Sequence, residues 1–197
     1  MSAVGWRHAL VVLGLAAVLA GAAALGWWVA RVTVARPAAG GLAGDQLSLD
    51  PEAKNRLLAT FRLPTLDGRT LGPADYRGQV VVLDFWTTWC GPCRAQSKIL
   101  AGLQQEYAGR GLVVLGVNLA EPDEVVESFL AEQPAEWPTL LDRDGSLSLQ
   151  AEVFGLPTMV ILDRSGSVVY RGSGLTGARA LRAVIDQALG ESPQGTR

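Results

Sequence analysis

"VVVLDFWTTWCGPCR", Val80 to Arg94, holds both cysteines of the 197-residue chain. Val80 to Trp86 is a nearly continuous apolar run, the pattern of a strand covered on both faces. Beyond the motif, Ile99, Leu100, Leu103 and Tyr107 recur at helical spacing until Gly109. Cys90 and Cys93 therefore lie between a buried strand and a helix N-terminus.

That placement decides their chemistry. A structural zinc site needs about four Cys or His ligands, and beyond this pair the chain has only His8, far upstream. A structural staple is a poor use of so short a loop, because it constrains little of the unfolded chain. A dithiol/disulfide couple remains. The free N–H groups and dipole at a helix start favour an anion, so a thiol there is acidified. Cys90, at the turn, is the expected nucleophile, and Cys93, one turn inside, the resolving thiol. Gly91 permits a tight backbone, and Pro92 fits an early helical position.

The flanking sequence gives the element order. Phe61-Arg62-Leu63 and Arg69-Thr70-Leu71 are short strand candidates around the Asp67-Gly68 turn signal. Leu112 to Val117 is a second buried strand. Pro122 opens a helix whose expected inner face is Val125, Val126, Phe129 and Leu130. The stretch from Glu136 to Gly155 reads as a connection with one short helix. Thr158–Leu162 and Ser167–Tyr170 flank the turn "DRSG". A last helix from about Thr176 carries Leu181, Val184, Ile185 and Ala188 on one face. The pattern predicts an α/β sandwich with a mixed central sheet.

Upstream, Ala9 to Val32 has no charge until Arg31, and is longer than the roughly 20 residues a helix needs to cross a bilayer. Trp27 and Trp28 sit where an interfacial belt is expected. Residues 1–8 then form a short leading segment and residues 9–32 one transmembrane helix, as an anchor or an uncleaved signal, with a signal peptide cleaved near Ala22 or Ala24 as the alternative. A Pro/Gly/Ala-rich stretch follows, so residues 33–56 read as a flexible linker with a reach of about 70 Å at ~3.3 Å per residue. Residues 57–190 are the folded domain and 191–197 a tail. Residues 1–36 hold three arginines and no acid, so a net charge of −2 leaves −5 for the rest. No basic patch or stripe suggests nucleic acid.

Here the sequence resembles a known family. "DFWTTWCGPC" is similar to the active-site signature of thioredoxin, and "GLPTMVILDRSGSVVYRGSG" to its cis-proline strand and following hairpin. The anchor, the leading "LPTLDGRTL" β-hairpin and a central insertion between Asn118 and Phe154 resemble the TlpA/ResA-like membrane-anchored thioredoxins. The resemblance implies a thioredoxin fold with a mixed sheet flanked by helices, and thiol–disulfide oxidoreductase activity. It needs no cofactor beyond a redox-active Cys90–Cys93 disulfide, and no metal. Carried over residue by residue, it makes Trp89 the tryptophan that shapes the site surface and Pro157 a cis-proline beside the disulfide. Leu156 would offer backbone hydrogen bonds to a bound peptide, with Gly91 and Pro92 forming the contact surface. Gly172 and Gly174 resemble the glycine-bearing edge of the substrate groove.

Asp84 interrupts the apolar strand, and a buried acid is costly without a use. Burial raises its pKa, so it could relay a proton from Cys93, as the matching aspartate of thioredoxin implies. A purely structural hydrogen bond is the alternative. The lysine that usually faces this aspartate is replaced by Gly116.

The implied partners are disulfide-bearing protein substrates and a membrane dithiol electron donor. The implied location is the outer, periplasmic face of a bacterial-type cytoplasmic membrane, in cytochrome c or copper-centre assembly. Gln96 stands where apocytochrome reductases often carry glutamate, and Ser97 and Lys98 lie where their helix has a proline; both weaken that specific assignment. A peroxidase is a competing reading, from the Thr87-x-x-Cys90 spacing, although Leu83 occupies the place of the usual upstream proline. A non-catalytic Cu(I) chaperone is another, since two thiols are soft ligands.

Overall fold

The computed structural model describes residues 50–190. The segments expected at 1–8, 9–32, 33–49 and 191–197 lie outside them. Among the described residues no helix is long and apolar enough to cross a membrane.

The described chain begins with helix α1 (Pro51–Thr60), then a two-residue pair of strands, β1 (Leu63–Pro64) and β2 (Thr70–Leu71). Then come β3 (Val80–Trp86), α2 (Gly91–Glu106), β4 (Leu112–Leu119), α3 (Asp123–Glu132) and β5 (Thr139–Asp142). The remainder is α4 (Ser146–Gln150), β6 (Thr158–Leu162), β7 (Val168–Ser173) and α5 (Ala178–Leu189). Five strands make one mixed sheet in the order β5-β4-β3-β6-β7. β3, β4 and β5 run parallel, while β6 is antiparallel to β3 and β7 antiparallel to β6. This is a thioredoxin fold, the architecture expected from the sequence.

Strand β3 holds the centre because both its faces are covered, and all seven of its residues are buried. Val81, Leu83 and Phe85 pack with α1, α4 and Leu140 on one side. Val80 and Val82 pack on the other against Leu100 and Leu103 of α2, Tyr107 at its C-cap, and Leu181, Ile185 and Leu189 of α5. Asp84 and Trp86 share that second face by alternation, which places the lone acid of the strand beneath the motif helix. The β6–β7 turn is tied by Asp163, whose Oδ1 accepts from the Ser165 and Ser167 amides at 2.9 and 3.0 Å.

Three local expectations are corrected. Helix α1 occupies the last six residues of the stretch read as linker (33–56). Asp50 caps it, its Oδ1 accepting the Ala53 amide at 2.8 Å, and buried Leu58 and Phe61 dock it onto the sheet. Phe61 thus ends a helix instead of starting a strand. Strand β5 was not foreseen, although all four of its residues are buried; it joins the parallel edge beside β4. On α3, Val126 is fully buried but Val125 is 44% exposed, so the inner face is narrower than the apolar residues suggested.

Candidate active site

Strand β3 ends at Trp86, and the chain turns through Thr87-Thr88-Trp89 into α2. Cys90 is the N-cap of that helix, and its Sγ accepts the Cys93 amide at 3.2 Å. The two cysteines form a disulfide with Cα atoms 5.2 Å apart. Pro92 in the first turn lacks an N–H that would have no helical partner anyway.

Both cysteines are nearly covered, Cys90 at 5% and Cys93 at 2% exposure, so exposure of the whole residue does not separate them. Their surroundings do. Cys90 lines an open groove with Trp89, Gly91, Pro92, Leu119, Phe154 and Leu156. Trp89 and Phe154 stand 73% and 80% exposed at this groove, an unusual display of aromatic surface. Cys93 instead lines a separate cavity of about 260 Å³ with Asp84, Trp86, Phe129 and Trp137.

The Leu156–Pro157 peptide is cis, as the resemblance implied. The Pro157 carbonyl accepts the Gly174 amide at 2.7 Å, fixing the loop on the end of β7. Among the described residues the N–H and C=O of Leu156, which lines the groove, take no internal hydrogen bond. Gly172 is not brought to the groove. It pairs with Met159 inside the sheet, and a Cβ there would fall 2.2 Å from the Tyr170 hydroxyl. Its small size therefore makes room for Tyr170, and Gly174 is the glycine tied to the cis-proline.

Asp84 is 2% exposed, its Oδ1 has no hydrogen-bond partner, and burial pushes its carboxyl up to about 7. Gly116 lies opposite it in the parallel register. A Cβ on Gly116 would meet the indole Nε1 atoms of Trp86 at 3.0 Å and Trp137 at 3.2 Å. Two indoles thus fill the space in which a lysine side chain would have to lie. Asp84 and Cys93 line the same cavity.

Gln96 is fully buried one turn beyond Cys93. Its Oε1 accepts the Thr176 amide at 2.8 Å, tying α2 to the loop after β7, while Nε2 has no partner. Ser97 and Lys98 line the Asp84 cavity at its α2 wall.

The sequence reading missed a polar clamp on the motif turn. Glu121, between β4 and α3, accepts from the Thr88 amide at 2.8 Å and the Thr88 hydroxyl at 2.6 Å. It also accepts from Asn118 Nδ2 at 2.7 Å. From the other side, Arg94 donates to the Thr88 carbonyl at 3.0 Å. The only available signal was an acid in the loop beyond a strand running parallel to β3, and a helix-start role for Glu121 beside Pro122 explained it equally well.

The chain is similar to several known proteins. The thiol-disulfide oxidoreductase ResA of Geobacillus thermodenitrificans is 36% identical over 108 residues, spanning 55% of this chain and 62% of that one. ResA of Bacillus thuringiensis is 27% identical over 130 residues, spanning 66% and 72%. Among solved structures, a Chlorobium tepidum protein provisionally described as thiol:disulfide interchange protein DsbE is 37% identical, with a TM-score of 0.61 over 66% of this chain and 92% of that one. StoA from Bacillus subtilis gives 25% identity and a TM-score of 0.54 over 63% and 94%. A profile described as "AhpC/TSA family" matches residues 55–171, more than half of the sequence, and the chain belongs to that family as a thioredoxin-like thiol–disulfide oxidoreductase.

Proposed function

We propose that the protein reduces disulfides in partner proteins. The observation that carries this reading is the division of the pair between two environments, Cys90 at the open groove and Cys93 at the Asp84 cavity. The Cys90 thiolate attacks one sulfur of a substrate disulfide, forming a mixed disulfide and expelling the other sulfur as a thiolate. Asp84 takes the proton of Cys93 through the shared cavity. The Cys93 thiolate then attacks Cys90 Sγ, closing the Cys90–Cys93 bond and releasing the second substrate thiolate. Two electrons pass to the substrate, and an external dithiol must restore them. Leu156 hydrogen-bonds the bound chain, Pro157 holds that loop, and Trp89 with Gly91 and Pro92 forms the contact surface.

The apolar run at residues 9–32 supports a single-pass anchor, and the disulfide chemistry favours the outer face of the membrane for the site. There a membrane dithiol carrier is the fitting donor, and proteins awaiting cytochrome c or copper-centre assembly are fitting clients.

The test is reduction of insulin by the purified protein with a dithiol supplied. Wild type should turn over, Cys90→Ser should be inert, and Cys93→Ser should accumulate a mixed disulfide with its client. Rapid peroxide turnover with no disulfide reduction would establish a peroxidase instead. Tight stoichiometric Cu(I) binding without turnover would establish a metal chaperone. Modification of Cys90 by a membrane-impermeant thiol reagent in intact reduced cells tests the outward placement.

A further inference from the structure

The Glu121 clamp has no part in the exchange steps above, yet it grips the turn two residues before the attacking sulfur. One carboxylate accepts three hydrogen bonds there, two of them from Thr88. Its reach to the groove is short, because Leu119, two residues earlier on the same strand end, lines the groove together with Cys90. The Cys90 amide closes the turn on the Thr87 carbonyl at 3.3 Å, so Thr88 and Trp89 form the entire link between the clamp and the sulfur.

We infer that Glu121 is a positioning residue that sets the acidity of Cys90: its carboxylate fixes the motif turn through Thr88 and opposes formation of the neighbouring thiolate. This rests on the assignment of Cys90 as the attacking thiol. The helix N-terminus of α2 favours the thiolate, and a fixed negative charge nearby disfavours it. The other charges facing this region are Arg94 on the Thr88 carbonyl, and Glu124 and Glu132 across the adjoining cleft of α3. Lys98 and Asp84 lie on the cavity side. On the cis-proline side Glu152 is paired with Lys54 of α1. Glu121 is the one acid among these that is hydrogen-bonded directly to the motif turn. Its effect is to hold Cys90 protonated until a client is close, which keeps the dithiol a strong reductant and a slow target for adventitious alkylation or oxidation.

The test separates charge from shape. In Glu121→Gln the amide oxygen can still accept from the Thr88 and Asn118 N–H groups, while the Thr88 hydroxyl turns from donor to acceptor. The neutral side chain should therefore preserve the fold and change only the charge. The measurement is the pH dependence of Cys90 alkylation in the reduced full-length protein in detergent. Glu121→Gln should lower the apparent pKa of Cys90 by about half to one pH unit and speed alkylation at pH 7 by roughly three- to tenfold. Glu121→Asp, which keeps the charge, should stay near the wild-type curve. An unchanged curve for Glu121→Gln, or equal shifts for the Gln and Asp variants, would overturn the inference even with wild type reducing insulin normally. A wild type with no insulin reduction would instead overturn the reading on which it rests.

Discussion

Replacing Asp84 by asparagine removes the only ionisable group of β3 while keeping its shape. The carboxyl is released near pH 7 in the folded protein, against an ordinary value of 3.8 that applies once the chain unfolds. Between about pH 4 and pH 7 the folded state therefore holds a proton that the unfolded state has lost. Unfolding free energy must fall as pH rises through that window, and the loss is complete above the folded pKa. At about 1.4 kcal/mol per pH unit, the gap corresponds to about 4 kcal/mol. That is an upper bound, because water entering the adjoining cavity would solvate the charge. The assay is urea unfolding of the oxidised chain from Gln46 onward, which contains every described element and the packed core. Measured from pH 4 to pH 9, Asp84→Asn should gain on wild type by about 3–4 kcal/mol across the window and then run parallel to it. Two curves that stay parallel throughout would refute the reasoning, since they would mean that Asp84 does not titrate differently in the two states.

Three further outcomes follow from single contacts. Gly116→Val should cost about 1–3 kcal/mol in urea unfolding, because the new side chain must displace the Trp86 and Trp137 indoles that close over that position. Trp89→Ala should lower kcat/KM for insulin reduction several-fold while moving the unfolding midpoint little, as expected for a side chain left 73% exposed. Tyr107→Phe should cost about 1–2 kcal/mol, measured the same way, since the buried Tyr107 hydroxyl donates to Asp186 Oδ1 at 2.6 Å.

The central strand and motif helix were legible in the sequence because their signals are local. Four valines and leucines in a row can only be buried on both sides, and a Gly-Pro step after Cys90 starts a helix. The last helix was legible from its apolar spacing. Helix α1 was not, because Leu57 and Leu58 are its only large apolar residues, and its burial depends on docking, together with Phe61, onto one face of the sheet. Strand β5 is four residues long and carries no alternation, so its identity comes from pairing with β4. At the site, Asp84 could be read from its place in an apolar run. Glu121 could not, because its partner Thr88 lies 33 residues away and only the parallel pairing of β3 with β4 brings the two strand ends together. Gly172 was placed at the groove edge by resemblance alone, which does not say that the neighbour needing its room is Tyr170.

The pair of indoles over Gly116 has a practical consequence. Trp86 packs in one cluster with both cysteines and Trp137 lines the same cavity as Cys93, each only 8% exposed. A disulfide quenches the fluorescence of an indole beside it, so opening the Cys90–Cys93 bond should brighten emission without shifting it toward the colour of solvated tryptophan. Trp89, out in solvent, would report client docking by a change in that colour instead. Among the described residues the tryptophans thus offer two optical channels, one for the electrons and one for the company the domain keeps, and both can be followed in real time with no label attached.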